Sequence, residues 1–254
     1  DFASTLFPKG NVLLEECIDG TPATCTLLVD RNGYLALPVT SDYMHKSAED
    51  NTPTGGMGAI CPVPMLERLK GKIRERIIEP TLYGMKVEQL SYKGVLTLSM
   101  MIRQDGEPYL VDYHVRLNDP ATQAMVPLIR TDLISILDAM RCDRINTMEL
   151  DVSDMCTVAV VLASEGYPLY PKTGKEIKGI DARLMEPLLD YPNVFIGAIQ
   201  DKDGKAITTG GRNITIVGKG RNLQEANRQA YDLIEKKRFQ NLWYREDIGN
   251  AYFS

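Results

Sequence analysis

Asp112, His114 and Arg116 stand at alternate positions of the stretch LVDYHVRLNDP, residues 110–120. On a strand, side chains two apart share a face. One surface would then carry a carboxylate, an imidazole and a guanidinium, with Val111, Tyr113, Val115 and Leu117 on the other. That set suits a metal–phosphate site, in which the carboxylate holds a cation and the arginine grips phosphate oxygens as a fork. The same alternation is equally that of an edge strand with a solvated polar face. A second feature is NTPTGGMGAICP, residues 51–62, where Gly55, Gly56 and Gly58 fall within four positions. Glycine costs backbone entropy on folding. Bare backbone lets an anion approach successive N–H groups, although a turn-rich surface loop has the same composition.

Two further groups carry chemistry in principle. Glu15 and Glu16 lie at the end of an apolar run, just before Ile18 and Asp19-Gly20. Backbone there can pair with a flat heterocycle while a carboxylate orders its amino group; a solvated strand end is the plain alternative. His45-Lys46 opens the glycine loop and would add positive charge for phosphate, or is simply surface.

The elements that must position these residues are legible in part. Segments 11–19 and 24–30 read as strands separated by a turn at Asp19-Gly20-Thr21-Pro22, with 34–39 as a third. Residues 41–58 read as loop. Pro62 and Pro64 open a helix with Leu66, Leu69, Ile73 and Ile77 on one face, ended or bent at Pro80. Strands 94–103 and 108–115 are joined by an Asp105-Gly106 turn. A helical region runs from Pro120 to about Ile129, and Asp132 caps a helix over 133–141. Residues 143–155 are polar and aperiodic and mark a boundary. Beyond them come strands 157–163, 194–200 and 213–217, a turn at Asp203-Gly204, and a helix 223–237 preceded by Asn222, with Leu223, Ala226, Ala230, Leu233 and Ile234 as its buried stripe. The expected class is α+β, with domains 1–150 and 151–254; there is no internal repeat.

Composition narrows the function. The 254 residues carry a formal charge of −5, which gives no electrostatic case for nucleic acid. No apolar run is long enough to span a bilayer. The start lacks both a signal-peptide pattern and an initiating Met, so a fragment or a processed product is expected. Five cysteines without a Cys-x-x-Cys pair read as reduced core thiols of a cytoplasmic protein. With only two histidines, a multi-histidine zinc site is excluded.

Taken together, LEECIDG (14–20), TS…HK (40–46), TGGMGAICP (54–62), VRLNDPATQ (115–123), EGYPLYPKTG (165–174), TTGGRNITIVGKG (208–220) and REDIGNAY (245–252) resemble the phosphoribosylamine–glycine ligase family of the ATP-grasp group, in order and over essentially the whole chain. The resemblance implies the C-terminal part of an ATP-grasp domain, an antiparallel sheet with helices, followed by a small α+β, barrel-like tail domain. The earlier part of the family's length, including its lysine-bearing phosphate loop, would lie outside these residues. It implies ATP and Mg²⁺ or Mn²⁺, glycine and phosphoribosylamine as substrates, and a glycyl phosphate intermediate in purine biosynthesis. It assigns Glu15, Glu16, Ile18, His45, Lys46, Gly55, Gly56 and Gly58 to the nucleotide, Asp112 and His114 to a metal, and Arg116 and Asp119 to catalysis.

The match has departures. The family's ribose-binding Glu falls at Pro22, its metal-binding Glu at Asp112 and its metal-binding Asn at His114. Its R-F-G-D-P-E motif keeps Arg116, Asp119 and Pro120 but has Asn118 and Ala121. Ser47 replaces a basic residue after Lys46. A diverged ligase with a rebuilt site, a non-catalytic nucleotide-site relic, and a pure interaction module are the three readings this leaves.

Overall fold

A ten-residue strand, β1 (Thr21–Asp30), is the centre of the first sheet. It pairs antiparallel with β2 (Gly33–Ala36) on one side and β5 (Gly94–Ile102) on the other, and β5 pairs with β6 (Pro108–His114). The computed structural model describes residues 13–178 and 193–253. Alternation sorts the two faces. Ala23, Cys25, Leu27 and Val29 join Leu96, Leu98, Met100 and Ile102 in the larger core, together with Ile73, Ile77 and Ile78. Thr24, Thr26, Thr97 and Ser99 point to the other face, where Leu28 joins a second core with Leu37, Met125 and Leu128. Each large aliphatic chain so buried contributes about 1.5–3 kcal/mol.

The helical stretch begins at Pro64 as expected, but as pieces: α1 (Pro64–Glu67), α2 (Lys70–Ile73), a π-helical turn over Arg74–Ile78, and α3 (Glu79–Val87). Pro80 neither ends nor breaks it. It sits in the first turn of α3, where its missing N–H is not needed, and the widened turn before it absorbs the ring. The Asp105-Gly106 turn forms, with Gly106 at φ 78°. α4 (Ala121–Met125) starts after Pro120, and α5 (Leu133–Arg141) is capped by Asp132, whose carboxylate accepts the Ser135 N–H at 2.7 Å.

The second sheet holds β3 (Ser41–Asp42), β4 (Gly58–Cys61), β7 (Cys156–Ser164), β8 (Val194–Ile196), β11 (Arg212–Gly220) and β12 (Leu242–Trp243). β4 pairs with the first half of β7 and β12 with its end. β9 (Ile199–Lys202) and β10 (Lys205–Thr208) form a separate hairpin. α6 (Leu223–Lys237) begins at Asn222, which caps it, and buries Leu223, Ala226, Ala230 and Ile234.

Several expectations need correction. Residues 13–20 carry no strand, and Leu13 and Leu14 are exposed; apolar composition alone does not make a strand without a ladder partner, and residues 11 and 12 lie outside the described residues. The stretch 41–58 is not all loop, since β3 and β4 lie at its ends and add to β7, so the second sheet draws strands from both sides of residue 150. Of the five cysteines, all free, Cys25 and Cys61 are buried, Cys156 is half-buried, and Cys17 and Cys142 are exposed. Burial pushes the Cys25 thiol up to about 12, which keeps it unreactive.

Candidate active site

The polar face of the first sheet builds the site from cross-strand rows. Thr24 faces Ser99, which faces Asp112; Thr26 faces Thr97, which faces His114. The hydroxyls of Thr26 and Thr97 are 3.3 Å apart, and Thr97 Oγ1 donates to the Arg116 carbonyl at 2.9 Å, holding the chain as it leaves β6. His114 Nε2 and Ser99 Oγ are 3.2 Å apart. A β-bulge lies in β6: Ser99 faces Asp112, but Met100 faces Leu110, so Val111 is the extra residue. This corrects the strict alternation. Leu110 packs toward the core while Asp112 faces the site, and Val111 lines the site instead of pointing away. Tyr113, Val115 and Leu117 do point away, but onto an exposed surface, not into a core.

A cavity of about 330 Å³ is bounded by Pro22, Thr24, Asp42, Ser99, Asp112, His114, Arg116 and Asp119, with Met44 and Gly55 on its glycine-loop side. Asp112, His114, Arg116, Asp119 and Gly55 are therefore brought together, as the sequence predicts. Arg116 Nη1 donates to the Leu117 carbonyl and to Asn118 Oδ1, each at 3.2 Å, an exposed and local anchoring. Asp119 is held at both oxygens: Oδ1 accepts from Arg212 Nη1 at 2.8 Å and Oδ2 from Gln123 Nε2 at 2.8 Å.

Other expected residues stand apart. Glu15, Glu16 and Ile18 do not line this cavity; the two glutamates are exposed, Ile18 is half-buried, and Glu16 acts electrostatically on Arg103. His45 and Lys46 do not line it either. Their loop closes on itself, with the Lys46 N–H on the Thr52 carbonyl and Lys46 Nζ 2.8 Å from Asp50. Lys46, then Thr52, hold the Asp50 carboxyl well below the usual carboxylate range.

The glycines answer to packing more than to a ligand. The Gly55 N–H donates to the Tyr167 hydroxyl at 2.7 Å and the Gly56 N–H to Thr54 Oγ1 at 3.0 Å. Gly56 has φ 111°, and a Cβ there would lie 2.6 Å from Pro120 Cδ. At Gly58 in β4 a Cβ would meet the Ala159 carbonyl oxygen at 2.7 Å. Only Gly55 is left at the cavity wall.

Three residues were missed by sequence reasoning. Arg212, in the quoted GGR segment on β11, and Tyr167, in the quoted EGYP segment in the turn after β7, clamp the glycine loop. Asp42 sits in the quoted TS…HK stretch, but nothing in its local sequence marks a buried carboxylate.

Asp112 and His114 do not amount to a metal centre. Among the described residues no group of three His, Cys, Asp or Glu could hold an ion. Asp112 Oδ1 already accepts the Tyr113 N–H, and an imidazole does not suit Mg²⁺. The donors do not fit a resident ion. No helix among the described residues is long and apolar enough to cross a membrane.

An antiparallel sheet with a polar face, a glycine loop and an Arg-x-x-Asp-Pro turn joined to a second sheet is the arrangement of an ATP-grasp protein. The family model for the phosphoribosylglycinamide synthetase ATP-grasp (A) domain matches residues 5–122, and that for the same family's C domain matches residues 157–251. A phosphoribosylamine–glycine ligase of Caldanaerobacter subterraneus is 36% identical over 248 residues, covering 96% of this chain and 58% of its own. The crystal structure of the Thermotoga maritima ligase superposes with a TM-score of 0.79 at 33% identity, over 92% of this chain and 57% of that one. An L-amino acid ligase from Bacillus licheniformis shares the fold, at a TM-score of 0.54 and 13% identity. The chain belongs to the phosphoribosylglycinamide synthetase family. It spans less than three-fifths of the length of these two ligase relatives.

Proposed function

We propose that this chain is the carboxylate-activating part of an ATP-dependent phosphoribosylamine–glycine ligase, acting in purine biosynthesis in the cytoplasm together with the portion of the ligase that it does not span. In this reading ATP phosphorylates the glycine carboxylate, the phosphoribosylamine nitrogen attacks the resulting glycyl phosphate, and phosphate leaves. No protein nucleophile takes part, so catalysis is positioning and neutralisation of charge. Arg116 is the charge-bearing donor, placed to meet phosphoryl oxygens as they transfer. Asp119 has both oxygens engaged, so it acts as an anchor that fixes Arg116's turn against the glycine loop. Asp112 and His114 lie on the same wall as Arg116 and add polar groups beside it. Glu15, Glu16 and Ile18 would meet the adenine outside the cavity described above.

The observation that carries this reading is the convergence of Asp112, His114, Arg116, Asp119 and Gly55 on one cavity. The test is phosphate release from ATP by the chain combined with the remaining portion of a family ligase. Release that requires both glycine and phosphoribosylamine, and that falls on Arg116→Ala, is the expected result. Release independent of glycine, or none, refutes the reading and favours the relic.

A further inference from the structure

A second cavity, of about 540 Å³, lies at the opposite edge of the first sheet from β6 and shares no lining residue with the cavity of the proposed chemistry. Cys25 of β1 and Tyr34 of β2 form one wall, the stretch from α1 to the first residue of the π-helical turn a second, and Leu150, Val152 and Ser153 a third. Its volume falls in the range of about 300–1,000 Å³ usual for small-molecule sites. Leu37, Val39, Ile73 and Ile78 make its body apolar. Three features distinguish it from loose packing. Gly71 lines it from within α2, where glycine costs helix stability against alanine, yet a Cβ there would meet nothing within 4 Å. Packing does not demand that bare position; its effect is to keep the cavity open. The helical stretch then widens into its π-helical turn at Arg74, on the same wall, and such turns gather at functional sites. Finally, two donors are uncommitted. Among the described residues neither the Tyr34 hydroxyl nor the Arg74 guanidinium makes a hydrogen bond, and the carboxylate nearest Arg74, that of Glu79, stands 3.3 Å from Nε. Burial raises the Tyr34 hydroxyl above its ordinary value, opposed by the neighbouring Arg74, so the phenol remains a donor.

We propose that this cavity binds a small amphiphilic carboxylate, with its apolar body against Gly71 and the aliphatic walls and its head on the Arg74 guanidinium and the Tyr34 hydroxyl. A guanidinium fork and a phenolic O–H are donors that a carboxylate accepts. The remaining rim charges decide the valence. Glu67 and Lys70 pair with each other, and Glu79 offsets part of Arg74, so the site suits a single negative charge and not a phosphate dianion. The site does not depend on the ligase reading.

The test is calorimetric titration of the chain with octanoate, octanol and octylammonium, in wild type, Gly71→Leu, Arg74→Gln and Arg116→Ala. Wild type should bind octanoate saturably, at least about tenfold more tightly than octylammonium, with octanol between them. That charge series needs no variant to fold. Gly71→Leu puts a side chain into the cavity and should weaken octanoate and octanol alike, about tenfold, while its melting temperature holds or rises, because leucine suits a helix better than glycine. Arg74→Gln, at an exposed position, should weaken octanoate about tenfold and leave octanol unchanged. Arg116→Ala should bind octanoate as wild type does. The proposal is overturned if wild type does not saturate with octanoate, if octylammonium binds as tightly, if Gly71→Leu or Arg74→Gln leaves the octanoate affinity unchanged, or if Arg116→Ala abolishes it.

Discussion

Arg212 and Asp119 are joined across the two sheets: Arg212 Nη1 donates to Asp119 Oδ1 at 2.8 Å and to the Asp119 carbonyl at 3.0 Å, and it also reaches the Gly56 carbonyl at 3.3 Å. The first residue of β11 therefore fixes the turn that carries Arg116. Arg212→Met keeps the stem but strips these acceptors of their donor. The expected loss is about 1–3 kcal/mol of stability in urea titrations, with a smaller ATP-induced rise in melting temperature. Arg212→Lys should recover only part of it, because a point charge cannot span the three acceptors.

Gly56 and Gly55 should respond very differently to alanine. At Gly56 the positive φ and the 2.6 Å approach to Pro120 Cδ act together, and Gly56→Ala should cost about 2–4 kcal/mol. At Gly55 an added Cβ meets the Arg212 and Tyr167 side-chain tips at 3.1 Å, which can shift. Gly55→Ala should fold nearly as stably and act chiefly on ligand affinity. Denaturant midpoints for the two variants settle the ranking.

The pH dependence of Asp42 has a definite sign. Its carboxyl moves from 3.8 to about 6, chiefly through burial, opposed by the Thr24 hydrogen bond. Between those values the folded chain keeps a proton that the unfolded chain has lost. Its contribution to stability is thus present below about pH 4 and is lost as pH rises through about 6. Asp42→Asn has no such loss, so it should gain on wild type by an amount on the order of 3 kcal/mol between about pH 4 and pH 7. Urea titrations at several pH values across that window measure the difference, and a flat difference contradicts it.

Two donors, one of them an imidazole, do not retain a divalent ion by themselves. Millimolar Mg²⁺ or Mn²⁺ without nucleotide should leave the melting temperature unchanged. With ATP present, any rise should come from the nucleotide, and His114→Asn should not change which ion gives the larger rise. Melting curves with each ion, with and without nucleotide, supply the check.

Local signals carried much of the fold. Asp132 and Asn222 mark the two capped helices because a side-chain cap is a contact within four residues. The 105–106 turn reads out because Asp-Gly suits a backbone with positive φ. The grouping of Asp112, His114, Arg116 and Gly55 on one cavity was also legible, from alternation and the TGGMG–RLNDP pattern. What could not be read depends on contacts distant in sequence. β4 is a strand because β3 and, a hundred residues later, β7 pair with its two edges. The bulge at Val111 is set by β5, and the bareness of Gly56 and Gly58 by Pro120, Ala159 and Ile248. Lys46 stands off this cavity, paired with Asp50 four residues on in a loop that folds back on itself.

The central claim is that the β6 wall and the Arg116 turn receive the phosphate end of a nucleotide. Calorimetric titration of this chain with ATP, in wild type, Arg116→Ala and Lys46→Ala, tests it most directly. The account predicts binding by wild type, at least about tenfold weaker binding by Arg116→Ala, and no change for Lys46→Ala. Absence of binding, or equal affinity in Arg116→Ala, would contradict it.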